Sequence, residues 1–221
     1  MSLLAIRNRL ITFSGNRNLS DEDWAYFVNA GQKYLDALVC NDLTREYYEE
    51  ELEADQSEIV PPRLRVAELV WVATNEEPDS ARPLGKASLS WIQSQYKTGA
   101  EIENGAPLYY SPATIRSEHS SDPTRFLNKK GIVVYPPSDG THTLTLQGAF
   151  FTDSVSAEDD ETFWTETYPS ALVSASMLKY EEMMRNTEGT RDWLAAIERE
   201  VNNINADIAD EESTEAYKMK G

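Results

Sequence analysis

The chain has one cysteine, Cys40, two histidines, His119 and His142, and about half as many basic as acidic residues, 20 against 38. A single thiol excludes an intrachain disulfide, and its place at the end of an amphipathic helical pattern reads as an inert, buried side chain rather than a nucleophile. The two histidines lie in separate segments without HExxH, CxxC or EF-hand spacing, so no metal site is expected. There is no GxSxG and no glycine-rich phosphate loop, so neither a catalytic residue nor a bound cofactor is expected. A formal net charge of −18 repels phosphate backbones instead of neutralising them, which argues against specific nucleic-acid binding. No apolar run approaches the ~20 residues that cross a bilayer, and the opening MSLLAIRNRLITF lacks both an apolar core and a small-residue cleavage site. A soluble chain made in the cytoplasm, without membrane contact, is therefore expected.

What is present suits a folded protein: 221 residues, 40% hydrophobic, with five Trp, enough for a full core in one or two domains. The clearest pattern is YPSALVSASMLKYEEMMRNTEGTRDWLAAIEREVNNINADIAD, residues 168–210, which reads as a helical hairpin. Pro169 suits a first helical turn, where its missing N–H costs no hydrogen bond. Behind it run a small stripe, Ala171, Ala175 and Leu178, and a bulky one, Val173, Met177, Tyr180 and Met184. A helix apolar on two sides packs on two sides, so the bulky stripe is a candidate packing face or subunit interface. After the turn signal at 186–190, Leu194, Ile197, Val201, Ile204 and Ile208 form a seam spaced by threes and fours.

Upstream, residues 2–13 predict a short amphipathic helix. Ser20 followed by Asp21, Glu22 and Asp23 marks the N-cap of a longer one, because acids in a first turn meet the positive end of the helix dipole. Its apolar stripe, Trp24, Phe27, Val28, Gly31, Leu35 and Leu38, contains a glycine that predicts close approach of another backbone. From Thr44 the periodicity changes. Residues 63–72 alternate as a strand, 75–83 read as a Pro- and acid-rich connection, and 88–96 as a short helix. Residues 107–110, 131–135 and 141–150 are strand-like, with Pro136-Pro137-Ser138-Asp139-Gly140 predicting a hairpin between the last two. The expected fold class is α+β: terminal helices in an antiparallel bundle, residues 1–44 and 161–210, with a β-rich domain inserted at 45–160 and a flexible arm at 211–221.

Acidic runs such as Glu49-Glu50-Glu51 and Asp159-Asp160-Glu161 are ordinarily solvated faces, and they become chemistry only where two carboxyls converge in a cleft. Trp71, Trp91, Tyr109, Tyr110 and Tyr135 read as core packing, since no basic residues accompany them as nucleic-acid binding requires.

The opening LLAIRNRLITFSGNRNLSDEDWAYFVNAGQKYL, the close WTETYPSALVSASMLKYEEM followed by a helix with an early Trp, and the middle VYPPSDGTHTLTLQGAFF together resemble the head-to-tail adaptor proteins of tailed bacteriophages. The resemblance implies a virion structural protein and not an enzyme. It implies a homo-oligomeric ring, commonly of twelve copies, in the neck between capsid and tail, bound to the portal protein on one side and to a tail or nozzle protein on the other, with genome DNA passing through it. It further implies that residues 211–221 reach the portal; Tyr217 and Met219, the large apolar side chains of that segment, flanked by Lys218 and Lys220, are the candidate anchors. Two other readings stand beside it: a phage-associated cell-wall glycan hydrolase using paired carboxylates, and a monomeric assembly factor.

Overall fold

The coordinates are a computed structural model that describes residues 2–15, 19–39, 41–74, 77–97, 103–119 and 122–218, without the side chains of 41, 42, 77–80, 97, 117–119, 122–125, 141 and 210–218. In chain order the elements are α1 (Leu3–Phe13), α2 (Asp21–Leu38), β1 (Arg45–Ala54), β2 (Glu58–Ile59), β3 (Leu64–Thr74), β4 (Glu77–Pro83), β5 (Gly85–Lys86), α3 (Leu89–Lys97), β6 (Tyr109–His119), β7 (Asp122–Tyr135), β8 (Asp139–Phe150), α4 (Phe163–Glu166), α5 (Pro169–Met183) and α6 (Thr187–Lys218). The fold is α+β. The chain divides into two compact units, one made of Met1–Leu43 with Phe151–Gly221, the other of Thr44–Phe150.

In the first unit α5 is central, packing against α1, α2, α4 and α6. Ala171, Leu172, Val173, Ala175, Met177, Leu178 and Tyr180 are all buried, and they share one core with Ile6 and Leu10 of α1, Trp24, Phe27 and Leu35 of α2, and Ile197, Val201 and Ile204 of α6. The close approach predicted from Gly31 is present: a Cβ there would lie 2.9 Å from both the backbone nitrogen and the hydroxyl of Ser176. Small residues on both helices therefore let α2 and α5 cross backbone to backbone. The Ser20 cap also forms as a reciprocal box, its hydroxyl accepting from the Asp23 N–H while the Asp23 carboxylate accepts from the Ser20 N–H. Helix α1 has no side-chain cap; the carbonyls of Asp160 and Glu158 accept from the N–H groups of Leu3 and Leu4 instead.

The expected arm at 211–221 continues α6 as far as Lys218, and residues 219–221 lie outside the described residues. Propagating an existing helix fixes one residue per hydrogen bond gained, and Glu, Ala and Lys are good helix formers, so loss of the apolar seam after Ile208 does not end the helix.

The second unit holds two four-stranded sheets, ordered β1-β8-β3-β4 and β2-β7-β6-β5. Leu52, Leu64, Val70, Leu144, Leu146 and Phe150 from one sheet meet Ile59, Tyr110, Ile132 and Val134 from the other in a single core. This arrangement overturns the expected hairpin at 131–150. Strand β7 pairs with β6 and β2, whereas β8 pairs with β1 and β3, so the two consecutive strands lie in opposite sheets. Pro136 and Pro137 have no N–H with which to close a hairpin ladder, and the turn bonds to the β1–β2 connection: Ser138 N–H donates to the Gln56 carbonyl and Asp55 N–H to that of Ser138. The sequence expectation has no counterpart of β1, β2, β4 or β5, the four outer strands of the two sheets. Strand β1, dense in glutamate, and β4, inside the expected Pro- and acid-rich connection, are both outer strands of their sheet, where charge and proline are tolerated.

Candidate interaction site

Helix α3 lies on β6 and β7, anchored by the fully buried Ile92. Its first turn is held by the Ser88 hydroxyl, which accepts from the Trp91 N–H at 3.3 Å. This placement gathers aromatic residues that are far apart in the chain. The Trp91 ring meets Tyr109 edge-on at 5.0 Å and Tyr135 at 5.8 Å, and Tyr96 meets Tyr135 edge-on at 5.7 Å. The Tyr96 hydroxyl donates to the Val134 carbonyl at 2.8 Å, and burial is the main cause that raises its pKa. Trp91 is 39% and Tyr109 40% exposed, and Leu108 beside them is 47% exposed.

The core reading of the five aromatics holds for Tyr110, which is buried with its hydroxyl donating to the Glu68 carbonyl at 2.8 Å, and is corrected for Trp91 and Tyr109. Each ring is turned by 68° to 86° against its neighbour, so the group is held by edge-to-face contacts. The result is an apolar, partly exposed aromatic surface of the kind that anchors protein–protein contacts. No sequence periodicity announces it, because it depends on a helix of one segment landing beside strands of two others.

The other expected site residues are dispersed. Val173, Met177 and Tyr180 are buried within a single copy of the chain, where Tyr180 stacks on Trp24 at 5.9 Å and meets Phe27 edge-on at 5.7 Å; Met184 is half-buried at the C-cap of α5. Tyr217 and Lys218 belong to the last turn of α6, where only the backbone is described, and Met219, Lys220 and Cys40 lie outside the described residues. The His119 side chain is likewise outside them, and the Nε2 of buried His142 lies 2.9 Å from a carboxylate oxygen of Asp139.

In the first acidic run, Glu49 and Glu51 are exposed on one face of β1. Strand alternation turns Glu50 away from Glu49 and Glu51, and Glu50 accepts from the Tyr48 hydroxyl and from Gln56. Burial and the Glu50 carboxylate together push the Tyr48 pKa up to about 12. Asp160 accepts from the N–H groups of Ser156 and Ala157, which holds its carboxyl below the ordinary range. Among the described residues, no group of three or more His, Cys, Asp or Glu is placed to hold a metal, and no helix is long and apolar enough to cross a membrane.

A polar stripe on α2 escaped the sequence reading altogether. Asp36, fully buried, accepts from the Trp164 indole N–H at 2.7 Å and from the Thr152 N–H and hydroxyl at 2.8 Å each. Gln32 donates to the Asp153 carbonyl and accepts from the Thr162 hydroxyl, while Asn29 exchanges two hydrogen bonds with the backbone of Val155. Residues 29, 32 and 36 thus share one helix face and tie down the segment that leads from Phe151 into α4. With three donors on it and no exposed surface, the Asp36 carboxyl ties α2 to Thr152 and Trp164.

No protein-family model matches this sequence, and no curated protein matches it.

Proposed function

We propose that the chain is a structural protein of a tailed-phage virion, a head-to-tail adaptor that forms a ring beneath the portal protein and joins the DNA-filled capsid to the tail. One observation carries the reading. Both ends of the chain contribute helices to one core, and a contiguous β-rich segment is inserted between them, which is the order of parts that the resemblance to adaptors carries. In this reading the terminal helices are an antiparallel ring-forming bundle, the insert faces the tail protein, and the end of α6 with Tyr217, Lys218, Met219 and Lys220 contacts the portal. The exposed aromatics Trp91 and Tyr109 give the insert a docking face. A net charge of −18 per copy keeps free copies apart at low salt and keeps the passing genome from sticking.

The test is light scattering and electron microscopy of the purified chain with and without its portal protein. The chain alone is expected to be monomeric, and with the portal to form a ring of twelve copies. Truncation after Asp210 is expected to keep the helical circular dichroism yet weaken portal binding. A chain that stays monomeric and unbound at micromolar portal overturns the reading.

A further inference from the structure

In the second unit, a cleft of about 400 Å³ opens between the first residues of β3, 64–67, and residues 112–114 of β6. It lies where both sheets run out of neighbours. Strand β4 pairs with β3 only from Trp71 onward, and β5 pairs with β6 only at Tyr109 and Tyr110. On β6, the carbonyls of Leu108 and Tyr110 face β5, accepting from the N–H groups of Gly85 and Ala87. Alternation along the strand then turns the N–H and C=O of Thr114 toward the same side, beyond the point where β5 stops. Pro112, between them, has no N–H to offer and so marks the end of the β5 ladder.

The cleft is also cationic in a strongly acidic chain. Arg65, Lys86 and Lys130 line it, no acid does, and its floor is apolar, with Leu64, Ala67 and Ala113. Lys86 and Lys130 are exposed, and among the described residues neither has a carboxylate partner. An open strand edge above an apolar floor with cations at its rim fits an extended peptide that alternates apolar and acidic side chains. A polyphosphate chain fits less well, because its charge continues past the three cations onto a chain with a net charge of −18.

We propose that this cleft binds an extended acidic segment of a protein partner, added as a strand along β6 with its carboxylates on Lys86 and Lys130. The experiment is fluorescence anisotropy with the full chain and three labelled probes: an eight-residue peptide of alternating Glu and Val, the same peptide with Gln for Glu, and an eight-nucleotide oligothymidine. The Glu peptide is expected to bind tightest, to weaken about tenfold on the doubly substituted Lys86→Glu, Lys130→Glu chain, and to weaken again when alternate peptide nitrogens are N-methylated. Both lysines are exposed, and unchanged circular dichroism confirms that the variant folds. Equal binding by wild type and variant overturns the proposal, as does indifference to N-methylation, tighter binding of the oligonucleotide, or no binding of the Glu peptide at millimolar concentration.

Discussion

Replacing Asp36 by Ala removes the acceptor of three hydrogen bonds from the interior of the helical unit. The magnitude follows from what is left behind. The Trp164 indole N–H is fully buried and loses its acceptor, which costs about 1–3 kcal/mol. The Thr152 N–H and hydroxyl are half-buried and regain water in part, adding about 1 kcal/mol, and the vacated volume adds a smaller amount. The expected loss is about 2–5 kcal/mol, a large part of the 5–15 kcal/mol typical of whole domains. Asp36→Asn keeps one oxygen for Trp164 but can set an amide N–H₂ against the Thr152 N–H, so it is expected to fall between wild type and Ala. Trp164→Phe removes the other partner, and the double variant Asp36→Ala, Trp164→Phe should cost less than the sum of the two by about 1–2 kcal/mol, because no indole donor is then stranded. Urea unfolding followed by far-ultraviolet circular dichroism at the helical band provides the measurement, with that transition kept separate from that of the β-rich unit. If Asp36→Ala lies within about 0.5 kcal/mol of wild type, or if the cycle shows no coupling, the polar stripe is not what holds the returning segment.

Gly31→Ala should destabilise by about 1–3 kcal/mol despite the better helix propensity of Ala, since the new methyl lands 2.9 Å from the Ser176 backbone; an unchanged thermal midpoint would refute the backbone crossing. Met177→Asp buries an unpaired carboxylate in the α5 core and should cost several kcal/mol, read as loss of soluble folded chain on size-exclusion chromatography; a variant as stable as wild type would mean that residue 177 is not packed. Tyr48, with a folded pKa raised to about 12 against 10.0 unfolded, adds stability that is complete below pH 10 and lost as pH rises through 12. Absorbance titration of Tyr48→Phe against wild type should therefore show one fewer late-titrating phenol, and equal late titration would assign the shift elsewhere.

Much of the helical unit was legible in the order of residues, because helix signals are local. The Ser20 cap with its first-turn acids, the two stripes of α5, the seam from Leu194 to Ile208 and the glycine at 31 each follow from spacings within a few turns, and each occupies the predicted kind of place. The strand of residues 63–72 and the helix of 88–96 were also readable, within a residue or two, from their own periodicities. Partnership between strands was not. The turn at 136–140 looks like a hairpin in sequence, yet β7 and β8 find different neighbours, because pairing is settled by which distant strands can satisfy each edge and bury each face. The same physics hid the aromatic surface and the cationic cleft: Trp91, Tyr109 and Tyr135, or Lys86 and Lys130, carry no mutual signal along the chain. Asp36 was invisible for a complementary reason, since a single acid on a helix reads as solvated until the fold brings Thr152 and Trp164 to it. Local spacing settles the helices and the strand β3, whereas the outer strands, the pairing of strands and the surfaces they make are decided by long-range burial and hydrogen-bond satisfaction.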